Sequence, residues 1–195
     1  MLIAFEGLDQ SGKETQARLL RDRMRAAGEK ARVVSFPDYG TPIGEEIARA
    51  LQGEREYGSE VMQLLYVANR FERLPDLKRW SEANISLLFD RYISSSIAYG
   101  EAQGLSAGWL NEIQRSLPQP EVTILLDISP DIAVSRKSLD RDRYEADLLL
   151  QNRVRESYLR QAKQHGWLVV NGAGDVETVS DSVIQVVTPS IPALD

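Results

Sequence analysis

The sequence predicts a three-layer α/β/α domain with a five-stranded parallel sheet. Five apolar runs of strand length are separated by helical patterns, and the inner runs lack the alternation of a half-buried strand. The runs are Leu2–Phe5, Arg32–Phe36, Ile85–Phe89, Val122–Asp127 and Trp167–Val170. Strands that alternate with helices are typical of a parallel sheet with helices on both faces. We therefore expect the central strands to be buried.

Three helices are clearest in the sequence: Thr15–Ala27, Ser59–Ser81 and Asp147–Gly166. The first ends at Gly28, a common helix stop. The second is expected to be interrupted near Pro75, because proline removes a helical hydrogen bond. The last residues, 188–195, contain two prolines and are expected to form a frayed tail. Since no linker rich in Gly or Ser divides the chain, residues 1–195 are predicted to form one domain.

The composition is that of a globular protein that folds without metal or disulfide support. Of its 195 residues, 43% are hydrophobic and 27% are charged. The chain has no Cys and a single His, which argues against a disulfide framework, a zinc site and a Ser-His-Asp triad. The net charge of −6 argues against a nucleic-acid or anionic-membrane partner. No stretch approaches membrane-spanning length and no secretion signal is recognisable, so we expect a cytoplasmic protein.

The turn after the first strand carries the strongest functional signal. Gly7, Gly12 and Lys13 have the spacing of a phosphate-binding P-loop, between a predicted strand and a predicted helix. Such a loop points backbone N–H groups at an anion, and the helix N-terminus adds partial positive charge. Lys13 would add a mobile charge for the outer phosphates of a nucleotide. Glycines and a lysine at such a position can simply form a turn between two elements, but the position between a strand and a helix favours nucleotide binding.

Two acidic positions in the loop depart from a plain phosphate site. Asp9 either orients a substrate hydroxyl or helps to hold a cation, unless it only shapes the turn. Glu14 stands where the pattern has a Ser or Thr, and Thr15 comes one place later. The loop therefore predicts a nucleotide and leaves the form of the magnesium site open.

A second group of polar residues follows the third strand. Asp90, Arg91 and Tyr92 come directly after Ile85–Phe89, at the edge where ligands collect in an open parallel sheet. Asp90 can hold the hydration shell of magnesium, and Arg91 can make a two-pronged contact with a phosphate. The alternative is a surface ion pair between them, which is disfavoured because adjacent side chains point apart.

Tyr66 and Arg70 lie four residues apart in the predicted helix Ser59–Ser81 and share one of its faces. An aromatic ring beside a guanidinium suits a planar heterocycle, because the ring stacks and the guanidinium donates to carbonyl oxygens. Aromatic residues at helical spacing are more often part of the core. The spacing alone leaves both interpretations open.

The segment from Arg136 to Glu145 combines dense charge with a break between two helical patterns. Most charge runs of this kind are solvated connectors. Phosphoryl transfer, however, needs positioned cations around developing negative charge, often arginines on a mobile element. In a chain with a P-loop, residues 136–147 are therefore expected to form a lid over the nucleotide.

Taken together, these segments resemble the thymidylate kinases, P-loop enzymes that phosphorylate dTMP with ATP. The resemblance extends from Phe5 to about Val187, with the motifs in the family's order. The motifs are FEGLDQSGKETQ, FPDYGTPIG, LLYVANRFE, DRYISSSIAY, LPQPEVTILLD and DRYE. Other nucleoside monophosphate kinases share the P-loop but not this set. The resemblance implies the P-loop kinase fold with a lid segment.

The resemblance also implies a role for each matching position. ATP would be bound by Gly7, Leu8, Asp9, Gln10, Ser11, Gly12, Lys13, Glu14, Thr15, Arg136 and Arg141. The acceptor dTMP would be bound by Asp9, Phe36, Pro37, Tyr39, Tyr66, Arg70, Arg91, Ser95 and Tyr99. The catalytic residues would be Asp9, Lys13, Arg91 and Arg143, and the metal residues Asp90 and Glu14. Magnesium, ATP as phosphoryl donor and a homodimer built through helices such as Ser59–Ser81 are implied as well.

Three positions depart from the family's pattern. Glu14 replaces the usual Ser or Thr, and its carboxylate could bind magnesium directly or through water. Gln10 stands where some members have a catalytic arginine, so the lid is expected to supply that cation. Tyr39 stands where some relatives have a phosphate-binding arginine, which leaves that task to Arg91 or to another arginine such as Arg73.

The sequence thus predicts transfer of the γ-phosphoryl group of ATP to dTMP, with two alternatives. One is a kinase for another nucleotide or deoxynucleoside, which competition among dTMP, dUMP, thymidine and CMP would reveal. The other is a P-loop nucleotide-binding module that has lost catalysis through Glu14. Nucleotide binding without formation of dTDP would be its mark.

Overall fold

The computed structural model describes residues 1–136, 147–191 and 194. Its strands are β1 (Leu2–Glu6), β2 (Ala31–Ser35), β3 (Ser86–Asp90), β4 (Val122–Asp127) and β5 (Leu168–Asn171). Its α-helices are α1 (Lys13–Ala26), α2 (Pro42–Leu51), α3 (Ser59–Glu82), α4 (Ile93–Ala102), α5 (Ala107–Glu112), α6 (Pro130–Arg136), α7 (Leu148–His165) and α8 (Val176–Val187). A short 3-10 helix, Thr188–Ser190, follows α8.

The five strands are parallel, as the apolar runs predict, and they lie in the order β2-β3-β1-β4-β5. The central strand is β1, in which Phe5 is opposite Asp90 of β3 and Ile124 of β4. The carboxyl ends of parallel strands share one edge of the sheet, so the turns after β1 and β3 lie side by side. That edge carries the candidate site.

Helices cover both faces of the sheet, which confirms the predicted three layers. On one face, Ile3 and Phe5 of β1 belong to a core cluster with α1 and α8. On the other face, Leu87 and Phe89 of β3 pack with α3, α4 and α5, and Leu125 of β4 packs with α4 and α7. The central strands are mostly apolar because both of their faces are buried.

Capping side chains are found at the start of several helices. Thr41, Asp147 and Asp175 precede α2, α7 and α8, and each accepts a hydrogen bond from the backbone N–H three residues later. Gly166 ends α7 with a φ of 67°, in the left-handed region that glycine adopts readily. These local signals mark the ends of the helices, and the helices then pack against the sheet.

Helix α3 runs without a break through Pro75, so the predicted interruption is wrong. Proline removes one hydrogen bond from a helix and introduces a steric clash with the preceding turn. Here the turns beyond Pro75 are held by tertiary packing, since Leu77 and Trp80 are buried against Leu87 and Phe89 of β3. Packing therefore outweighs the local penalty.

The predicted frayed tail is also corrected over its first residues. Val187 and Ile191 are buried in the cluster that α1 and α8 form against the sheet. The intervening residues form the 3-10 helix, which places these two apolar side chains on the same side. Burial of apolar surface outweighs the tendency of a terminal segment with prolines to fray.

Helices α2, α4, α5, α6 and α8 have no counterpart in the sequence prediction. Helix α4 shows why, because almost all of its residues are buried, including Ser94, Ser95 and Ser96. A helix buried on every side has no amphipathic pattern to detect. None of the helices in the described ranges is both long and apolar enough to cross a membrane.

Candidate active site

The loop between β1 and α1 is held tightly against the neighbouring strand. Gly7 has a φ of 142°, and a Cβ at this position would lie 2.5 Å from the carbonyl oxygen of Leu126 in β4. Any other residue would clash with that backbone, so glycine is required here. Gly12 has a φ of 92° and directly precedes α1. The loop and the helix N-terminus are therefore arranged as the P-loop spacing predicts.

Lys13 is buried at the start of α1 and its side chain lies across the loop. Its Nζ donates to the carbonyl oxygen of Leu8 at 2.7 Å and to Oγ of Ser11 at 3.5 Å. Burial, assisted by the charge of Arg91, lowers the pKa of Lys13 to about 8, although Asp9 and other carboxylates oppose the shift. The lysine is thus a cation whose charge responds to a nearby anion.

Arg91 joins the turn after β3 to the loop after β1. Its Nη2 donates to Oδ1 of Asp9 at 2.5 Å, and its Nη1 donates to the carbonyl oxygen of Gly7 at 3.0 Å. Tyr99 of α4 donates from its hydroxyl to Oδ2 of Asp9 at 2.9 Å. Arg91 has a backbone φ of 62°, which is unfavourable for a residue other than glycine. The contacts of its side chain hold the backbone in this conformation.

The electrostatics of this pair favour the ionised forms. Burial raises the pKa of Asp9, but the charges of Arg91 and Lys13 and the hydrogen bonds from Arg91 and Tyr99 outweigh it. The net pKa of Asp9 is well below its usual value. Burial lowers the pKa of Arg91, but Asp9 raises it well above its ordinary value. Asp9 and Arg91 therefore remain charged across the physiological range.

A buried carboxylate supports Arg91 from below. Glu6, the last residue of β1, accepts hydrogen bonds from the backbone N–H of Tyr92 at 2.9 Å, from Ser95 at 2.6 Å and from Tyr158 at 3.2 Å. Ser95 and the Tyr158 hydroxyl in turn accept from Nη1 of Arg91 at 3.3 and 3.2 Å. Through Tyr158, helix α7 reaches the same arginine as the loop.

A cleft opens between α3, α4 and the turns after β1 and β2; we call it the α3 cleft. It encloses about 520 Å³, counting its open mouth. It is lined by Asp9, Phe36, Pro37, Tyr39, Leu51, Gln63, Tyr66, Arg70, Arg91, Ser95, Ser96 and Tyr99. Every residue predicted from the sequence to bind the acceptor is in this set.

Arg70 forms part of the cleft wall and is itself buried. Its Nη2 donates to the carbonyl oxygen of Tyr92 at 2.5 Å, and its Nη1 donates to Ser96 Oγ at 2.9 Å and to Gln114 at 3.4 Å. Phe36 lies beside the guanidinium, with its ring centroid 6.0 Å from Cζ. Burial lowers the pKa of Arg70, and nearby groups led by Glu6 oppose that shift. The arginine is thus fixed in orientation by three acceptors.

The turn that carries Phe36, Pro37 and Tyr39 is held by Asn69 of α3. The buried Asn69 side chain accepts from the backbone N–H of Asp38 at 2.8 Å and donates to the Asp38 carbonyl oxygen at 3.2 Å. Tyr39 itself is 49% exposed at the cleft rim. The turn is therefore fixed relative to α3.

Arg73 does not line the cleft, contrary to one of the two options for replacing a phosphate-binding arginine at Tyr39. Its Nε lies 3.1 Å from Asp38 and its Nη1 lies 2.9 Å from Asp76. The guanidinium also lies over the ring of Trp80, 5.6 Å from its centroid. These contacts occupy Arg73 on the other side of the turn and leave Arg91 as the arginine between loop and cleft.

Asp90 and Glu14, the two residues predicted to bind the metal, lie in different surroundings. Asp90 ends β3, and its charge opposes the lowering of the pKa of Lys13, so it lies close to the loop. Glu14 is on the exposed surface of α1, where Arg18 donates to its carboxylate at 2.5 and 3.1 Å. In the described part of the chain, no group of three or more His, Cys, Asp or Glu residues could hold a metal ion. Single carboxylates, rather than a cluster of ligands, fit a magnesium ion that is held mainly by nucleotide phosphates and water.

Arg136, at the end of α6, lies beside the loop. Its Nη1 donates to the carbonyl oxygen of Gln10 at 3.0 Å, and its Nη2 donates to Gly172 and Gly174 after β5 at 2.8 and 3.2 Å. The predicted lid residues Arg141 and Arg143 lie outside the described residues. The remaining loop residues, from Leu8 to Thr15, lie between β1 and the first turn of α1.

Five residues of the site are absent from the sequence prediction: Glu6, Leu51, Gln63, Ser96 and Tyr158. Two of them had a local signal. Glu6 is a charge at the end of an apolar strand, and Gln63 precedes Tyr66 by three and Arg70 by seven positions, on the same helix face. The other three come from elements whose neighbours only the fold reveals.

A strand, a glycine-rich loop and a helix at the edge of a parallel sheet, beside a cleft with fixed arginines, define a P-loop nucleotide kinase. The family model described as thymidylate kinase matches residues 5–183. The chain belongs to the thymidylate kinase family. It is therefore an ATP-dependent phosphotransferase that acts on dTMP.

Individual proteins agree with this assignment. The thymidylate kinase of Schizosaccharomyces pombe is 32% identical over 192 residues, which cover 96% of this chain and 91% of that protein. The thymidylate kinase of Danio rerio is 32% identical over 186 residues, which cover 93% of this chain and 87% of that protein. The solved structure of thymidylate kinase from Candida albicans matches with a TM-score of 0.84 and 26% identity, and covers 100% of this chain and 93% of that one.

Proposed function

We propose that the loop binds ATP, that the α3 cleft binds dTMP, and that the γ-phosphoryl group passes between them to give dTDP and ADP. The observation that carries this proposal is the ion pair between Asp9 and Arg91. Asp9 belongs to the loop, Arg91 to the turn after β3, and both line the cleft. The donor and the acceptor sites therefore share one wall, which in-line transfer requires.

On the acceptor side, the roles follow from position along the cleft. Tyr66 offers an aromatic face for the base, and Arg70 has only donors, which match carbonyl oxygens of a pyrimidine. Arg91 binds the acceptor phosphate at the end nearest the loop. Tyr99 and Ser95 line the nucleoside part, and Tyr99 keeps the Asp9 carboxylate in place by its hydrogen bond.

On the donor side, the loop amides and the N-terminus of α1 hold the phosphates, and Lys13 turns from Leu8 and Ser11 toward the outer phosphates. Arg136 positions the carbonyl oxygen of Gln10 and borders the nucleotide. Arg141 and Arg143 are the candidates for cations that close over the transferred group. These roles put positive charge around the bond that breaks.

The reaction needs little covalent help from the protein. An oxygen of the acceptor phosphate attacks the γ-phosphorus, and the bond from that phosphorus to the bridging oxygen of ADP breaks. No strong general base is required, because the acceptor phosphate is largely ionised near neutral pH. Magnesium, when bound, neutralises charge on the phosphates, and Asp90 would hold it through water. The rate gain comes from alignment and from fixed cations in a site that excludes water.

A coupled assay of ADP release tests the proposal, with dTMP, dUMP, thymidine and CMP as acceptors and with and without magnesium. We expect magnesium-dependent turnover with dTMP as the preferred acceptor. Preference for another acceptor would identify a different nucleotide or deoxynucleoside kinase. ATP binding without dTDP at saturating magnesium would identify a binding module that has lost catalysis.

We further propose that the protein is a homodimer that works in the cytoplasm. Helix α3 exposes three large apolar side chains, Val61, Leu64 and Phe71, on the face opposite its cleft residues. Exposed apolar side chains that share one helix face are typical of an interface with another chain. Self-association through α3 would leave the mouth of the cleft free for substrate.

A further inference from the structure

Gln63 is a fully buried side chain of the α3 cleft. It is 0% exposed and lines the cleft. Within the described ranges, neither its amide nitrogen nor its amide oxygen has a hydrogen-bond partner. Burying an amide without partners is unfavourable, so each such group in a folded protein requires an explanation.

A second buried glutamine nearby shows what a structural amide does in this fold. Gln114 is also 0% exposed, and it accepts from Nη1 of Arg70 at 3.4 Å and donates to the carbonyl oxygen of Ile93 at 3.1 Å. Both ends of the Gln114 amide are therefore used to hold protein. Gln63 makes no such hydrogen bond within the described part of the chain, although it lies at the same site.

The position of Gln63 on α3 points it to the same ligand as its neighbours. Gln63, Tyr66 and Arg70 are spaced by three and seven residues, so they share one face of the helix. Arg70 also has one unused donor, since its buried Nε has no hydrogen-bond partner among the described residues. The helix thus presents an unpaired amide, an aromatic ring and an unpaired N–H to one cleft.

We propose that Gln63 reads the nucleobase of the acceptor, by donating to a ring carbonyl oxygen and accepting from the adjacent ring N–H. This inference rests on the proposed binding of dTMP in the α3 cleft. A side-chain amide presents a donor and an acceptor side by side, as such an edge requires. The same geometry lets glutamine pair with two adjacent base atoms in nucleic-acid recognition.

Gln63 and Arg70 divide the recognition between them. An amide can turn over, so Gln63 alone would also match the amino group and bare nitrogen of cytosine. Arg70 has donors only, and a base that presents an amino group to it gains no hydrogen bond. Gln63 therefore supplies affinity for a polar base edge, while Arg70 restricts that edge to one with carbonyl oxygens.

The test is the variant Gln63→Leu, with binding measured by calorimetry on two probes, dTMP and 2-deoxyribose 5-phosphate, which has no base. We expect dTMP to bind about tenfold or more weakly, because a buried hydrogen-bonded edge loses its partner. Binding of the abasic probe should stay within about twofold. The melting temperature of the ligand-free variant should not fall, since the amide that is removed is unpaired.

Met62→Leu is the matched control. Met62 is adjacent to Gln63 and fully buried, but it packs with Ile47 of α2 and does not line the cleft. We expect both probes to bind to this variant as they bind to the wild type. A second variant, Gln63→Glu, keeps the shape of the side chain and replaces its donor by a carboxylate oxygen. It should lose at least as much dTMP affinity as Gln63→Leu.

Three results would overturn the inference. One is unchanged dTMP affinity in Gln63→Leu or in Gln63→Glu. Another is an equal loss for dTMP and the abasic probe, which would mean a distorted cleft. The third is a lower melting temperature of ligand-free Gln63→Leu without a selective loss for dTMP. If the wild type fails to bind dTMP or to form dTDP, the proposed function fails instead, whatever the variants do.

Discussion

Nη2 of Arg91 donates to Oδ1 of Asp9 at 2.5 Å, and this contact joins the turn after β3 to the loop after β1. The two residues are 82 positions apart in the chain and meet because β1 and β3 are neighbouring parallel strands. The same carboxylate lies close enough to Lys13 to influence its pKa. Asp9 thus interacts with both cations of the site, Arg91 and Lys13, from a position in the loop.

Replacing Arg91 should damage acceptor binding far more than replacing Arg73. Arg91→Lys keeps the charge but loses the forked contacts to Asp9, Gly7 and Ser95, so we expect kcat/KM for dTMP to fall about 100-fold or more. Arg73→Lys is the control, because its partners are Asp38 and Asp76 outside the cleft. Steady-state kinetics with varied dTMP measure both. Equal losses in the two variants would contradict the assignment of Arg91.

The pKa of Asp9 predicts how its contribution to stability depends on pH. Because the folded pKa is lowered, the contribution is complete above the usual carboxyl pKa of about 4 and is lost as the pH falls toward the folded value. Asp9→Asn should therefore lower the free energy of unfolding by about 2 kcal/mol at pH 7. The same difference should be found at pH 5.

Urea unfolding of the wild type and of Asp9→Asn at several pH values measures this difference. Asp22→Asn is a suitable control, since Asp22 is an exposed carboxylate that pairs with Arg21 on the surface of α1. A difference between wild type and Asp9→Asn that does not shrink as the pH falls below the usual carboxyl pKa of about 4 would show that the pKa of Asp9 is not lowered.

Nucleotide affinity should fall as the pH rises through about 8. Burial lowers the pKa of Lys13 to about 8, so above that pH the free protein must take up a proton before the lysine can pair with phosphate. The outer phosphates stay fully ionised over this range. We expect a non-hydrolysable ATP analogue to bind about tenfold or more weakly at pH 9.5 than at pH 7.5.

Lys13→Arg supplies the control for this experiment, because a guanidinium keeps its charge throughout the range. Its affinity for the analogue, whatever its absolute value, should be flat between the two pH values. A wild-type profile as flat as that of Lys13→Arg would show that the charge of Lys13 does not change there.

The residues alone predict part of the loop and of the cleft because their signals are local, and the family resemblance adds Phe36, Pro37, Tyr39, Ser95 and Tyr99. Gly7 and Lys13 are spaced within one turn, Tyr66 and Arg70 within one helix, and Arg91 follows a strand that any parallel sheet would place beside β1. The carboxyl ends of parallel strands lie at one edge of the sheet, and this rule alone predicts that these groups lie close together.

What the sequence does not predict depends on long-range packing. Tyr158 reaches Glu6 across 152 positions, from a helix whose register against the sheet is set by the whole core. Ser96 lies in the uniformly buried helix α4, where burial gives no periodic pattern to read. The spacing of Gln63 to Tyr66 can be read from the sequence, but the lack of hydrogen-bond partners for its amide among the described residues is visible only in the folded structure.

Glu14 gives a prediction about the metal. Its carboxylate is paired with Arg18 on the helix surface, while the P-loop pattern has a hydroxyl ligand at this position. Glu14→Ser would supply that hydroxyl and remove a negative charge beside the triphosphate. We expect the magnesium concentration for half-maximal activity to fall by about threefold to tenfold, since each tenfold corresponds to about 1.4 kcal/mol.

Glu14→Ala separates the two causes, because it removes the same charge and adds no hydroxyl. The change in magnesium requirement should be smaller in Glu14→Ala than in Glu14→Ser. Titration of activity with magnesium at saturating ATP and dTMP measures both variants. If Glu14→Ser leaves turnover and magnesium dependence unchanged, Glu14 plays no part in metal binding.

The proposed homodimer can be tested at Leu64. Leu64 is 46% exposed on the face of α3 that also carries Val61 and Phe71, and a charge there would be buried in a dimer without a partner. Leu64→Asp should therefore be monomeric at concentrations where the wild type is dimeric, as measured by light scattering after size exclusion. Leu149→Asp, at a leucine of α7 that is 73% exposed, should remain dimeric. Because the cleft faces away from Leu64, dTMP should still bind to the monomeric variant, and a wild type that is monomeric at all concentrations would refute association through α3.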